Sequence, residues 1–470
     1  MESTIHQRMG RYGCAIRSFA RDRAREPPYP VWKESLMNSD SLNRGNALAS
    51  KLISHEAVAE LLTQMVNIPS PTGGEAPLAE FLAARMRSAG LSTDFQFVSE
   101  GRPNVIGHLR GTGDGLNLLF TGHMDTSYDG DEDYLIGDGY KPKAVVRDGW
   151  LWGLGSHNMK SGLAGAIIAT EAIARSGIAL RGDVTVAGVV GEIEKTAIEE
   201  FSGASFAGYG VGTRHLATHG LTADYAILAE PTALKIATAN MGCIWVRITV
   251  EGTISHAAMS NHPSVQNAVK VMHALTADVM QWARGYESQH EHMGEHPNVT
   301  ISAIRGGAPW RLSRNPISCS LYLDIRTVPG QTAAGVRREL RALVQAFAKD
   351  HGVDEPALHF YVSDPATKVP EDSPIVDALG IAQKAVMGSR PASTIRRPGS
   401  DAVHLVSYGV PCIQFGPGGR LHPESKSGSM HASGEHVLID DVLTAAKVYF
   451  AAALELCNRP AGNARNGGAL

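Results

Sequence analysis

Residues 161–194 read SGLAGAIIATEAIARSGIALRGDVTVAGVVGEIE. Ser161–Ser176 is a helix of small and aliphatic residues, and Asp183–Val190 is an apolar run of the length and composition of a strand buried on both faces. A helix feeding such a strand is the repeating unit of an α/β sheet with helices on both faces. The strand runs out into Gly191-Glu192-Ile193-Glu194, so two carboxylates stand where open α/β sheets keep their sites.

Working outward, the same pattern recurs. Upstream, His55–Val66 and Ala76–Ala89 carry helical apolar spacing, Pro69, Ser70 and Pro71 end the first of them, and Asn104–Leu109 and Asn117–Thr121 are short strand-like runs. Downstream, Asp224–Ala229 is another. After Pro231 the pattern changes: Ile244–Glu251 and Cys319–Asp324 alternate with period two, and Asn267–Trp282 and Ala333–Ala348 read as helices. Strand, helix, two strands and helix in this order predict a ferredoxin-like inserted domain at 237–362. The α/β pattern resumes at Pro374–Met387, which gives a main domain of 51–236 and 363–470 behind an irregular tail of 1–50. Met37 offers an alternative translation start.

The 470 residues are too many for one ordinary core, and 43% hydrophobic with 19% charged is a globular balance. A formal net charge of -4 gives no reason to expect a nucleic-acid partner. No apolar run is long enough to predict a membrane span, and the Arg-rich first residues lack the apolar core of a secretory signal. The five cysteines, Cys14, Cys243, Cys319, Cys412 and Cys457, are scattered, which argues against a disulfide framework and for a reducing cytoplasm.

Chemistry concentrates at strand ends. His123 and Asp125, two apart on an extended backbone, share one side, and a carboxylate beside an imidazole fixes its tautomer. Asn158 lies just before the helix of Ser161–Ser176, where a capping role is equally natural. Glu192 and Glu194 suit ligand and general-base roles, Glu230 adds a carboxylate, and His431 adds a second imidazole. Each fragment alone fits a solvated strand end. Together they are the N/O donor set of zinc, manganese or cobalt. The cluster Gln289–His296 reads as an exposed loop.

The segments TGHMDT, GLGSHNMKSG, VVGEIE, LAEPT, GTISHAA with QNAV, LDIRTVPG, GSDA, FGPGG and HASGEHV occur in the order of the motifs of a known family. The chain resembles the aminoacylase, acetylornithine deacetylase, succinyl-diaminopimelate desuccinylase and glutamate carboxypeptidase group over about 51–460. The resemblance implies a zinc-peptidase-like α/β catalytic domain with an inserted α+β lid and dimerisation domain, one or two divalent metals per subunit, and a homodimer or higher homo-oligomer. It makes His123 a metal ligand with Asp125 its orienting partner, Glu230 the paired carboxylate, and His431 the ligand of a second metal. His256 becomes the lid histidine that reaches a partner's active site, and Arg326 the lid arginine for a substrate carboxylate.

Three positions depart from the family: Asn158 replaces the bridging aspartate, Ile193 breaks an adjacent acidic pair, and Ser313 stands for a lid asparagine. A neutral amide does not offset repulsion between two cations. The gapless alignment makes Glu192 the base, and a one-residue shift makes Glu194 a ligand. Three activities are open at this point: hydrolysis of an N-acyl amino acid or small peptide, replacement of an aryl amine as by a 5-nitroanthranilate aminohydrolase, and a catalytically inactive binding protein.

Overall fold

The computed structural model describes residues 47–221, 223–425 and 433–462. Its main sheet has nine strands. Eight run in the order β1 (Ser92–Ser99), β2 (Arg102–Leu109), β6 (Val184–Val189), β3 (Leu118–His123), β7 (Tyr225–Leu228), β15 (Cys412–Gln414), β8 (Ala237–Asn240) and β13 (Thr367–Lys368), and β14 (Thr394–Arg396) pairs with β8. The central strands β6, β3, β7 and β15 are parallel, while β1 and β2 form an antiparallel edge. A small sheet joins β4 (Val145–Arg147), β5 (Trp150–Trp152) and β16 (His436–Leu438).

The helices follow from their apolar spacing. In α1 (His55–Val66) the buried residues are Val58, Leu61, Leu62, Met65 and Val66, and the Ser54 hydroxyl caps the Ala57 amide. After α2 (Ala76–Ser88) comes α3 (Ser161–Ser176), buried from Ser161 through Ile173, as its small residues allow. Gly162 is required there: a Cβ at this position would sit 1.7 Å from the Ala229 carbonyl oxygen, so only glycine lets α3 start against the end of β7. After α4 (Val211–Thr218), α5 (Ala268–Gln289) and α6 (Ala333–His351) come α7 (Pro374–Met387), α8 (Ala402–Ser407) and α9 (Ile439–Cys457). Helices α1, α3, α7 and α9 pack on one another around one large core, while α4 and α8 form a separate pair.

The inserted unit has its own core and its own antiparallel sheet, ordered β10 (Asn298–Gly306), β11 (Ser318–Thr327), β9 (Gly242–Glu251) and β12 (Ala357–Asp364). With α5 after β9 and α6 after β11 this is the ferredoxin-like βαββαβ arrangement. Along β9, Ile244, Val246, Ile248 and Val250 are buried against α5 and α6, and Trp245, Arg247 and Thr249 fall on the opposite face.

Three boundaries differ from the sequence reading. Residues 237–240 pair in the main sheet, and the inserted sheet runs on to Asp364. Residues 47–52 are helical, with Ala49 and Ile53 buried, where an irregular tail was expected to reach residue 50. Residues 1–46 lie outside the described residues. Cys243, Cys319, Cys412 and Cys457 are free and buried. Among the described residues no helix is long and apolar enough to cross a membrane.

Candidate active site and metal centre

Three parallel neighbours, β6, β3 and β7, end side by side. His123 is paired with Val189 across β3 and β6, and Thr121 with Leu228 across β3 and β7. The chain continuing past Val189 and Leu228 therefore carries Glu192 and Glu230 to either side of His123. All three side chains are buried, and a ligand atom from each lies within 4.8 Å of the others.

His123 Nδ1 is 2.9 Å from the Asp125 carbonyl oxygen, which only accepts, so Nδ1 donates there and Nε2 is the ring atom left to bind a metal or, in its stead, a proton. Nε2 faces Glu192 Oε2 and Asn158 Oδ1, each at 3.4 Å. Neither Glu230 oxygen makes an aligned hydrogen bond, although the Arg396 guanidinium lies 2.8 Å from Oε2. A buried imidazole nitrogen beside the buried carboxylates of Glu192 and Glu230, the latter without an aligned hydrogen bond, fits a divalent transition metal.

The electrostatics agree. Burial opposes a charged His123, yet the negative charge of Glu192, the Asp125 hydrogen bond and Glu230 outweigh it and push its pKa well up. Burial pushes Glu192 far above the usual carboxyl range, and the charge on His123 offsets this only in part. For Asp125, burial acts upward, but the His123 contacts and the donors at Glu192 N and Thr72 Oγ1 prevail and hold the carboxyl low.

Asp125 does more than orient an imidazole. Its carboxylate accepts the backbone amides of Glu192 at 3.0 Å and Ile193 at 3.1 Å, so it ties the end of β6 to the end of β3. Asn158 is held likewise from behind. The buried Glu435 Oε2 accepts the amides of His157 at 3.1 Å and Asn158 at 3.0 Å. Lys160, buried next to this carboxylate, donates to the carbonyls of Met65 and Ile68 at 3.0 and 2.9 Å. His157 Nδ1 accepts the Gly419 amide at 3.2 Å.

A family model described as peptidase family M20/M25/M40 matches residues 119–455. The chain belongs to this family. A deformylase of N-formyl-4-amino-5-aminomethyl-2-methylpyrimidine from Bacillus subtilis is 24% identical over 88% of the chain and 94% of its own length. A succinyl-diaminopimelate desuccinylase from Gluconacetobacter diazotrophicus is 28% identical over 83% and 94%. Among solved structures, a tripeptidase from Staphylococcus aureus superposes with a TM-score of 0.68 at 16% identity, covering 87% of this chain and all of the other. Membership makes the chain a metal-dependent hydrolase of amide C–N bonds.

Not every candidate joins the M20 cluster. Glu194 was expected beside Glu192 by strand periodicity. However, β6 ends at Val189, Gly191 turns at φ 65, and the chain swings Glu194 to the inserted domain. There it accepts Arg326 Nη1 at 2.6 Å and Nη2 at 3.0 Å. Arg326, the candidate for a substrate carboxylate, is thus already held between Glu194 and Asp324. His256 is exposed in the inserted domain, its Nδ1 capping the Ala258 amide, away from the cluster of its own chain. His431 lies outside the described residues.

The structure adds groups that periodicity and spacing did not single out. Arg396 stands against Glu230 from β14, a strand too short to announce itself. Asp401, in the GSDA segment, is buried near Glu192; Thr213 Oγ1 donates to its Oδ2 at 2.6 Å, Oδ1 has no partner, and burial raises its pKa to about 7. Glu435 was within a quoted segment and carried no role. A cleft of about 650 Å³ opens over Asn158, Glu192, Lys195 and Arg396.

Proposed function

We propose that this M20 enzyme removes the acyl group from an N-acyl amino acid or small peptide with one firmly held divalent metal. The observation that carries the reading is the convergence of His123, Glu192 and Glu230 at three adjacent strand ends, with neutral Asn158 and apolar Ile193 where a second cation would need charge. His123 Nε2 and Glu230 would hold the metal, with Asn158 Oδ1 or His431 completing the sphere; zinc, manganese and cobalt all suit these donors. Bound there, the metal would supply an acidified water and a polarised carbonyl.

Glu192, ionised once a cation sits beside it, takes the proton from the attacking water and returns it to the leaving amine. Asp125 holds the Glu192 amide, and through it the base, in register with His123. The relatives that align along most of the chain are named for removing formyl, succinyl and acetyl groups from amines. All three speak for a small amide substrate and against both aryl-amine displacement and an inert scaffold, and the desuccinylase and deacetylase, named for amino acid substrates, speak for a carboxylate on it.

We also infer at least a homodimer. His256 is exposed, and Ile254, Met259, Trp310 and Leu312 on the same loops expose 73%, 51%, 82% and 83% of their surface. A partner covering this apolar region would receive His256 and place it to polarise the scissile carbonyl. Metal analysis of purified protein beside a screen of N-acyl amino acids tests the whole reading. About one metal per chain with amino acid release is expected, and two tightly bound metals or no release would overturn it. A fully active monomer in light scattering would remove the role of His256.

A further inference from the structure

The open face of the inserted sheet is not bare. Period-two alternation puts Trp245 and Arg247 of β9 and Tyr322, Asp324 and Arg326 of β11 on the side away from α5 and α6, and a register shift in β12 brings Tyr361 beside them. Facing them is the segment of the main domain that follows Glu194, with Phe201 and Phe206 at 5.7 Å between ring centres. Between the two lies a cavity of about 340 Å³ walled by Trp245, Tyr322, Tyr361, Phe201 and Phe206.

Charged contacts at its rim hold the cavity open. Glu199 pairs with Arg247, accepts Arg305 at 2.8 Å and accepts the Tyr322 hydroxyl at 2.7 Å, while Glu200 takes the other arm of Arg305 at 2.7 Å. Such a built apolar cavity is at the small end of the range of ligand pockets, with room for a ring-bearing group rather than a chain of residues. It also adjoins the catalytic cleft, because Glu194 and Lys195 line both. Of these two, Glu194 is neutralised by Arg326, whereas Lys195 has no ion pair among the described residues.

We propose that this cavity is the subsite for an aromatic group of the substrate, and that Lys195 at its mouth binds the substrate's carboxylate in place of the already paired Arg326. The inference rests on the amidohydrolase reading for the fate of the ligand, not for its binding. It narrows the substrate to an amide of an arylalkyl carboxylic or amino acid. Aromatic walls favour an aromatic guest by edge and offset contacts beyond simple area burial.

Two measurements separate this inference from the function it rests on. The first is the ratio of kcat/KM for N-phenylacetyl-glycine over N-acetyl-glycine in the metal-loaded enzyme. It should exceed about tenfold, as expected for several buried ring carbons, and Ala303→Trp, which fills the cavity from β10, should collapse it to near one. The second is calorimetric binding of 3-phenylpropionate to the full chain. Saturable heat is expected, lost in Ala303→Trp and weakened about tenfold in Lys195→Met, with 3-phenylpropanamide insensitive to the lysine change. Should Ala303→Trp not fold, the Lys195→Met comparison decides alone. Binding without hydrolysis of any amide would uphold the subsite and sink the amidohydrolase reading. Hydrolysis with equal rates for both acyl groups and no binding heat would overturn the subsite and leave the function standing.

Discussion

Glu192 and Glu194 are two residues apart and live in different regions of the molecule. Glu192 closes a buried cluster made wholly by the main domain, where three parallel strands end in register. Glu194 belongs to the seam with the inserted domain, where its charge is spent on Arg326 and the side chains are partly exposed, 31% for Glu194 and 16% for Arg326. The first region gathers Glu192, Glu230 and His123 as buried donors within 4.8 Å of one another, a set that suits a cation. The second pairs Glu194 with Arg326 and leaves Lys195 and aromatic surface over. We therefore place the chemistry in the first region and selectivity in the second.

The largest effect that can break this division is at Glu192. Glu192→Gln keeps the size of the side chain and removes its basicity, so turnover should fall by about 10²–10⁴ while metal content is preserved. Steady-state kinetics with metal analysis on the same sample check it. Loss of metal along with activity would turn Glu192 from base into ligand and leave the base unassigned.

Much of this division was legible in the sequence, and the parts that were not share a cause. Helices 55–66 and 161–176 were readable to the residue because the first has one buried stripe, the second is buried nearly all round, and they end at a polar residue and a Gly. The strand ends bearing His123, Glu192 and Glu230 were readable because apolar runs stop at them. Edge strand β1 was not, since its exposure alternates weakly along a polar segment, STDFQFVS. The fate of Glu194 was not, because the period-two rule holds only while the backbone stays extended and Gly191 ends that. Arg396, Asp401 and the pairing of β16 with β5 depend on contacts between segments far apart in the chain, which no local pattern carries.

A smaller effect should come from the supports behind the cluster. Glu435 touches no ligand position with its side chain, but it anchors the amides of His157 and Asn158. Glu435→Gln keeps one acceptor and removes the charge beside Lys160. Groups behind a metal site are worth about 10–100-fold in affinity, and a loss near the lower bound is expected in a competitive chelator titration. Unchanged metal affinity would mean that Asn158 takes no part in the coordination sphere and that His431 completes it.

The smallest effect, and the sharpest test of the comparison, is at the seam. If Glu194 serves the domain junction, Glu194→Gln should leave metal content as in the wild type. It weakens one arm of a pair that is neither fully exposed nor fully buried, so the cost in stability is on the order of 1 kcal/mol, between the surface and buried limits. Freed of one carboxylate, Arg326 remains bound to Asp324 at 2.7 Å, so the seam loosens rather than opens. KM should then shift by a few-fold with kcat nearly constant, because the lost contact is the same in ground and transition states. A double-mutant cycle with Arg326→Met isolates the pair: its coupling should account for most of the single-mutant loss. Should Glu194→Gln strip the metal or lower kcat as far as Glu192→Gln does, the two glutamates would belong to one region after all, and the turn at Gly191 would have to be redrawn in the working enzyme.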